Sequence, residues 1–253
     1  MNAETRPTRP KRPPMDSMRK TALAAGVLYL ITFVTSIPAL GLYHDLLKDP
    51  AYILGNASDT GVLWGALGEI TCALAGIASA VVLFRVTKRQ SETAGLGFVM
   101  SRTIEAAMIF VGVLSVLSLV TLHQGGADAS SLAGARVLVA IHDWTFLLGP
   151  GLMPAVNALC LGYVMYRSRL VPRIIPTIGL IGAPLLFAAF IAVLFGWIDQ
   201  VSGVALLLTL PIAAWEFALG VWLTVKGFNA AALARLTAPT VPELDGGLTT
   251  AVA

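Results

Sequence analysis

Six ionisable side chains stand inside long apolar runs of this 253-residue chain: Glu69, Arg102, Glu105, His142, Asp143 and Glu216. Placing each within hydrocarbon costs about 2.5–3.5 kcal/mol on insertion scales, so each needs a partner or a task. Arg102 and Glu105 are spaced i,i+3 and share a helix face, where they can neutralise one another and bond a neighbouring helix, or form a ligand or proton site. Glu69 and Glu216 have no local partner. They must face a bundle interior, reach Arg102 or a water, or stay protonated. For both, packing partner and functional site are open readings. The neighbouring glycines Gly65, Gly68, Gly76 and Gly220 permit close helix approach and fit the packing reading.

The run Ile141-His142-Asp143-Trp144-Thr145-Phe146-Leu147-Leu148-Gly149-Pro150-Gly151-Leu152-Met153-Pro154 puts two prolines and two glycines near mid-membrane. Each proline lacks an N–H and interrupts the helical ladder. Carbonyls freed at that depth are tolerated only in a protein interior or along a cavity. At 100° per residue, Asp143, Pro150, Pro154 and Asn157 fall within roughly 60° of one another. Broken helices with such a polar face line transporter sites. Simple proline kinks also occur without a site, and Pro38, Pro184 and Pro211 kink other runs.

His44, His123 and His142, with Asp45, Asp143 and Glu69, supply metal-ligand types but no HxxxH or HExxH spacing. No metal and no cofactor is expected. There is no GxSxG, P-loop or dinucleotide fingerprint, so no catalytic residue is assigned, and an enzyme is the less favoured class. Cys72 and Cys160 lie within apolar runs and make neither a disulfide framework nor a CxxC motif.

The elements that must position these groups follow from composition. Hydrophobic residues make up 57% and charged ones 12%, with a net charge of +3 and a mean hydropathy of +0.80. An ordinary soluble domain carries about 25% charged residues, so a soluble globule, a disordered chain and a nucleic-acid binder are all excluded. A spanning helix needs about 20 apolar residues. Six runs qualify: 21–43, 61–84, 97–122, 137–163, 174–195 and 204–225. The predicted fold is all-α, a polytopic six-transmembrane-helix bundle over residues 19–228 between disordered tails, 1–18 and 229–253. Lys and Arg recur in the N-terminal tail, after the second and fourth spans, and after the sixth. That alternation predicts both termini in the cytoplasm, for a multi-pass protein of the cytoplasmic (inner) membrane. Trp64, Trp144, Trp197, Tyr43 and Tyr52 read as anchors at the outer interface. Arg173, after Pro172 at the start of the fifth span, is either a topology charge or a ligand for a lipid phosphate. The expected partners are membrane lipids and a small-molecule or ion ligand, with no nucleic acid. The oligomeric state is left open.

Three strings resemble a bacterial membrane family: Gly97-Phe98-Val99-Met100-Ser101-Arg102-Thr103-Ile104-Glu105, His142-Asp143-Trp144-Thr145-Phe146-Leu147-Leu148-Gly149-Pro150, and Tyr166-Arg167-Ser168-Arg169-Leu170-Val171-Pro172-Arg173 followed by Gly179-Leu180-Ile181-Gly182. The family is domain of unknown function 4386, and the likeness covers about residues 19–228. It implies six spans and carries no activity, substrate or cofactor. Glu69, Arg102, Glu105, Asp143, Trp144, Pro150, Pro172 and Arg173 match it. Members often carry Arg before the Asp-Trp pair, where this chain has His142. Since arginine cannot ligate a metal, this departure further weakens a metal site. The function expected is a small transporter or a lipid- or ligand-binding membrane protein using polar residues on the broken fourth span. The alternatives are a structural or regulatory subunit whose charges are packing glue, and then a membrane-embedded enzyme.

Overall fold

The computed structural model describes residues 17–238. Its long helices are α1 (Ser17–Leu42), α3 (Thr60–Gln90), α4 (Glu92–Gln124), α7 (Ile174–Leu194) and α8 (Gly203–Val225). The fourth span is split into α5 (Leu132–Leu148) and α6 (Met153–Ser168). Short elements complete the order: α2 (His44–Lys48), 3-10 turns at Pro50–Leu54 and Ala129–Ser131, and α9 (Ala230–Thr237). Six segments are long and apolar enough to cross a membrane, with α5 and α6 sharing one of them. The described chain is an all-α polytopic bundle.

The spans form a closed ring. α1 packs on α3, α3 on α4, α4 on α5 and α6, α6 on α7, α7 on α8, and α8 returns to α1. Small residues allow the closure. A Cβ on Gly26 would lie 2.7 Å from the Gly220 carbonyl oxygen, and one on Gly220 would lie 3.0 Å from Tyr29 Cβ. On the other side of α1, a Cβ on Gly68 would stand 2.8 Å from the Thr35 carbonyl oxygen. Backbones approach this closely only where side chains are absent.

Two apolar cores stack along the ring. One gathers Tyr29, Leu83, Phe98, Leu161, Met165 and Trp215, and the other Tyr43, Leu46, Val62, Val116 and Leu119. On α3 and α4 the stretches between these cores hold Glu69, Arg102 and Glu105. The polar residues therefore form a belt at mid-depth. Large apolar side chains such as Val34, Leu74, Leu114, Phe187 and Leu206 point outward, as a lipid-facing surface requires.

At 31 and 33 residues, α3 and α4 run about 46 and 50 Å, longer than the roughly 30 Å hydrocarbon core. Their joined ends carry Arg85, Lys88, Arg89 and Glu92 beyond the apolar window. Arg167, Arg169, Arg173 and Lys226 lie at the same end, while Asp45, Asp49, Asp59, Asp128, Asp143 and Asp199 lie at the other.

Several expectations change. α1 starts at Ser17, so helix replaces the last residues of the predicted N-terminal tail. Ala230–Thr237 is a helix rather than disordered tail, because the Asn229 side chain caps it through Ala232 N–H at 3.1 Å and Ala232 is buried against the bundle. The remainder of both predicted tails, 1–16 and 239–253, lies outside the described residues. Tyr43 is 1% exposed and is a core residue, not an interfacial anchor, because Gly65 opens a slot for its ring. Trp64, Trp144 and Trp197 do face outward.

At the acidic end the α4 terminus is tied to the α2–α3 connection. His123 Nδ1 meets Asp59 Oδ1 at 2.8 Å and its Nε2 meets the Gly55 carbonyl at 3.0 Å, while Gln124 donates to Asp59 Oδ2. Tyr52 Oη also donates to Asp59, and burial together with that carboxylate pushes the Tyr52 phenol above its usual range, so it remains a donor. His123→Ala should cost about 1 kcal/mol, the scale of a charge-assisted bond at a partly wet site. Amide hydrogen exchange over residues 55–59 checks this. Exchange as slow as in wild type would mean that the histidine holds nothing.

Candidate functional site

The belt is organised around Arg102, 5% exposed in the first half of α4. Its Nη1 donates to Glu105 Oε2 at 3.1 Å, one turn along the same helix, as the i,i+3 spacing predicts. Its Nη2 donates to Glu216 on α8. The guanidinium also stacks over Tyr29 of α1 at 5.3 Å and near Phe98 at 5.9 Å. One planar fork thus joins two carboxylates and two aromatic faces, which a lysine could not do.

Asn157 on α6 extends the network and is fully buried. Its Nδ2 donates to Glu105 Oε2 at 2.7 Å, and its Oδ1 accepts from Ser101 Oγ. Four spans therefore supply the cluster: α1, α4, α6 and α8. Ser101 and Tyr29 are members that the sequence reading did not single out. Ser101 precedes Arg102, and only the position of α6 reveals its role.

The helix break explains why Asn157 is here and Asp143 is not. Between α5 and α6 the backbone runs through Gly149 at φ −86°, ψ −94°, and Gly151 N–H reaches the Phe146 carbonyl at 2.9 Å, five residues back. Counting 100° per residue across this gap fails because the helical phase is reset. Asp143 turns outward, its side chain 58% exposed, while Asn157 turns inward. The predicted common face of Asp143 and Asn157 does not exist. The break is itself packed: a Cβ on Gly149 would meet Met108 Cβ at 2.6 Å and the Glu105 carbonyl oxygen at 3.4 Å.

A smaller polar group lies toward the acidic end. His142 is 5% exposed, edge-on to the Tyr43 ring at 5.9 Å. Glu69 lies one turn beyond Gly65, against which the Tyr43 ring packs, and the Tyr43 hydroxyl is buried. His142 Nδ1 also reaches its neighbour Asp143 at 3.4 Å, a long contact. Cys72 is one turn from Glu69 on α3. The face of α3 carrying Glu69, Cys72 and Gly76 runs from the small group to the Arg102 cluster, and a Cβ on Gly76 would touch Arg102 Cδ at 3.9 Å. Arg173 belongs to neither group: it is exposed at the basic end, stacked on Tyr166 at 4.7 Å.

Chemically, the cluster is a charge-paired acceptor site. One guanidinium faces two carboxylates, and the Tyr29 hydroxyl and Arg102 Nε are buried with no hydrogen-bond partner. Among the described residues, no group of three His, Cys, Asp or Glu side chains is placed to hold a metal ion. The sequence profile of the family described as Domain of unknown function (DUF4386) matches residues 24–227. No curated protein and no solved structure matches the chain.

Proposed function

The chain belongs to the family Domain of unknown function (DUF4386), and we propose that it is an ion- or ligand-handling protein of the cytoplasmic membrane that exchanges a proton at its Arg102 cluster. In this reading both termini face the cytoplasm, because the Lys- and Arg-rich loops share their end of the bundle. The observation that carries the proposal is the charge count at mid-depth. Arg102 supplies one positive charge to Glu105 and Glu216, all three within the bundle. An unbalanced charge in a low-dielectric interior is costly, and one proton or one small cation balances it. Glu69 and Cys72 lie on the α3 face whose Gly76 adjoins Arg102, which gives such a species polar company toward the acidic end.

A second reading, packing glue alone, is favoured by the saturation of the Glu105–Asn157–Ser101 bonds within the protein. Infrared difference spectra of the protein in lipid, recorded across a pH step, separate the two. Proton exchange predicts a protonated-carboxyl band that changes with pH and disappears in both Glu105→Gln and Glu216→Gln. The absence of any pH-dependent carboxyl band in wild type would leave the charges as glue.

A further inference from the structure

The basic end carries a second site with no connection to the interior cluster. A cavity of about 560 Å³ opens between the α6–α7 loop and the α8–α9 turn. Its polar lining is Arg169, Arg173, Lys226 and Asn229, and its apolar lining includes Trp222 and Phe228. We infer that this cavity binds a phosphate ester, with the phosphate held by Arg169, Arg173 and Lys226 and its organic portion against Trp222 and Phe228.

The backbone that carries these cations is held by the fold itself. Arg169 adopts φ 57°, the one left-handed non-glycine residue among those described. Its position closes α6, where glycine is the usual choice, through a bond from Arg169 N–H to the Met165 carbonyl at 3.1 Å. An arginine there keeps a strained backbone, and Arg169 lines both this cavity and the recess beside it. Arg173 is ordered by the Tyr166 ring at 4.7 Å. The wall between them is rigid: Leu170 and Val171 are buried, and Asn229 N–H donates to the Leu170 carbonyl at 2.8 Å.

Among the described residues Arg169, Arg173 and Lys226 have no carboxylate partner. Arg19, at the same end, shows the contrast, since its guanidinium is spent on the carbonyls of Leu223, Thr224 and Val225 at the end of α8. Three neighbouring cations without an anion, two of them forked, suit the oxygens of a phosphate better than a single carboxylate. Arg169 also borders an adjoining recess of about 260 Å³ lined by Arg167 and Arg235, which extends the same positive field.

Native mass spectrometry of the full chain in non-ionic detergent tests the inference. The probes are dioleoyl phosphatidylglycerol, dioleoylglycerol with the same tails and no phosphate, and soluble glycerol 3-phosphate. One phosphatidylglycerol should bind at least about ten-fold more tightly than dioleoylglycerol, and Arg169→Gln with Arg173→Gln should remove about ten-fold of that affinity. Lys226→Gln, an exposed single change, should remove about three-fold and serves if the double variant does not fold. Arg85→Gln with Lys88→Gln, at the same end but outside the cavity, should leave binding unchanged. Glycerol 3-phosphate displacing the lipid would assign the site to a soluble phosphate ester, and failure to displace it would assign the site to the membrane. Equal binding of dioleoylglycerol, or equal loss in the Arg85 and Lys88 variant, would overturn the inference.

Discussion

Arg102→Leu should lower stability by about 3–5 kcal/mol, because it leaves Glu105 and Glu216 buried with no compensating charge. No other single change at the belt removes as much. Arg102 is the only cation of the cluster, and its ring contacts with Tyr29 and Phe98 disappear with it. Arg102→Lys should lose less, about 1–2 kcal/mol, since a compact ammonium keeps the charge but cannot fork across two carboxylates. Replacing all three charges together, by Arg102→Leu, Glu105→Leu and Glu216→Leu, should recover most of the loss, as apolar replacements of buried ion groups commonly do. Asp143→Asn is the control. Its exposed side chain predicts a change within about 0.5 kcal/mol. Thermal unfolding in detergent reads all four. An Arg102→Leu protein that melts with wild type would mean that the three charges do not meet.

Gly26→Val should open the seam between α1 and α8. A Cβ at Gly26 would collide with backbone, the Gly220 carbonyl oxygen at 2.7 Å and the Thr224 N–H, as well as the Thr224 hydroxyl. Backbone cannot rotate away as a flexible side chain can, so the helices must separate. Overpacking of this kind costs about 1–3 kcal/mol and occasionally more, and the seam should fall at the upper end. Gly41→Ala on the same helix has nothing within 4 Å of its new Cβ, and it should leave stability unchanged or raise it by up to about 0.5 kcal/mol. Crosslinking efficiency between cysteines placed on α1 and α8, with melting in parallel, checks the pair. Equal behaviour of the two glycine variants would show that the seam is looser than its backbone spacing.

The spans were legible because each needs an unbroken apolar run, and such runs leave little ambiguity in a chain this poor in charge. The Arg102–Glu105 contact was legible for a similar reason, since i,i+3 neighbours on one helix meet wherever that helix lies. Glu216 could be read only as one of several residues that must find a partner. Which partner depends on α8 closing between α7 and α1, where Glu216 comes within reach of Arg102, and no local pattern encodes that. Asn157 and Asp143 show the limit most clearly. Both sit on the fourth span, and a single helical wheel joins them. The break at 149–152 turns one inward and the other outward. Tyr43 misled for another reason. An aromatic at a span end suits the interface, yet Gly65 across from it leaves room for the ring inside the bundle.

The closure of the ring by α8 carries a consequence for synthesis. α8 is the last of the six spans to leave the ribosome, and three of the bundle's specific contacts wait for it. The glycine seam of α1 has no facing helix until then. The Arg19 guanidinium has no α8 carbonyls to hold. Arg102 has Glu105 as its one carboxylate partner until Glu216 arrives. Without α8 the ring stands open between α7 and α1, so α8 works as the keystone of the six spans. Closure of the six spans therefore waits on α8, which brings Glu216 to Arg102 and shuts the charges in.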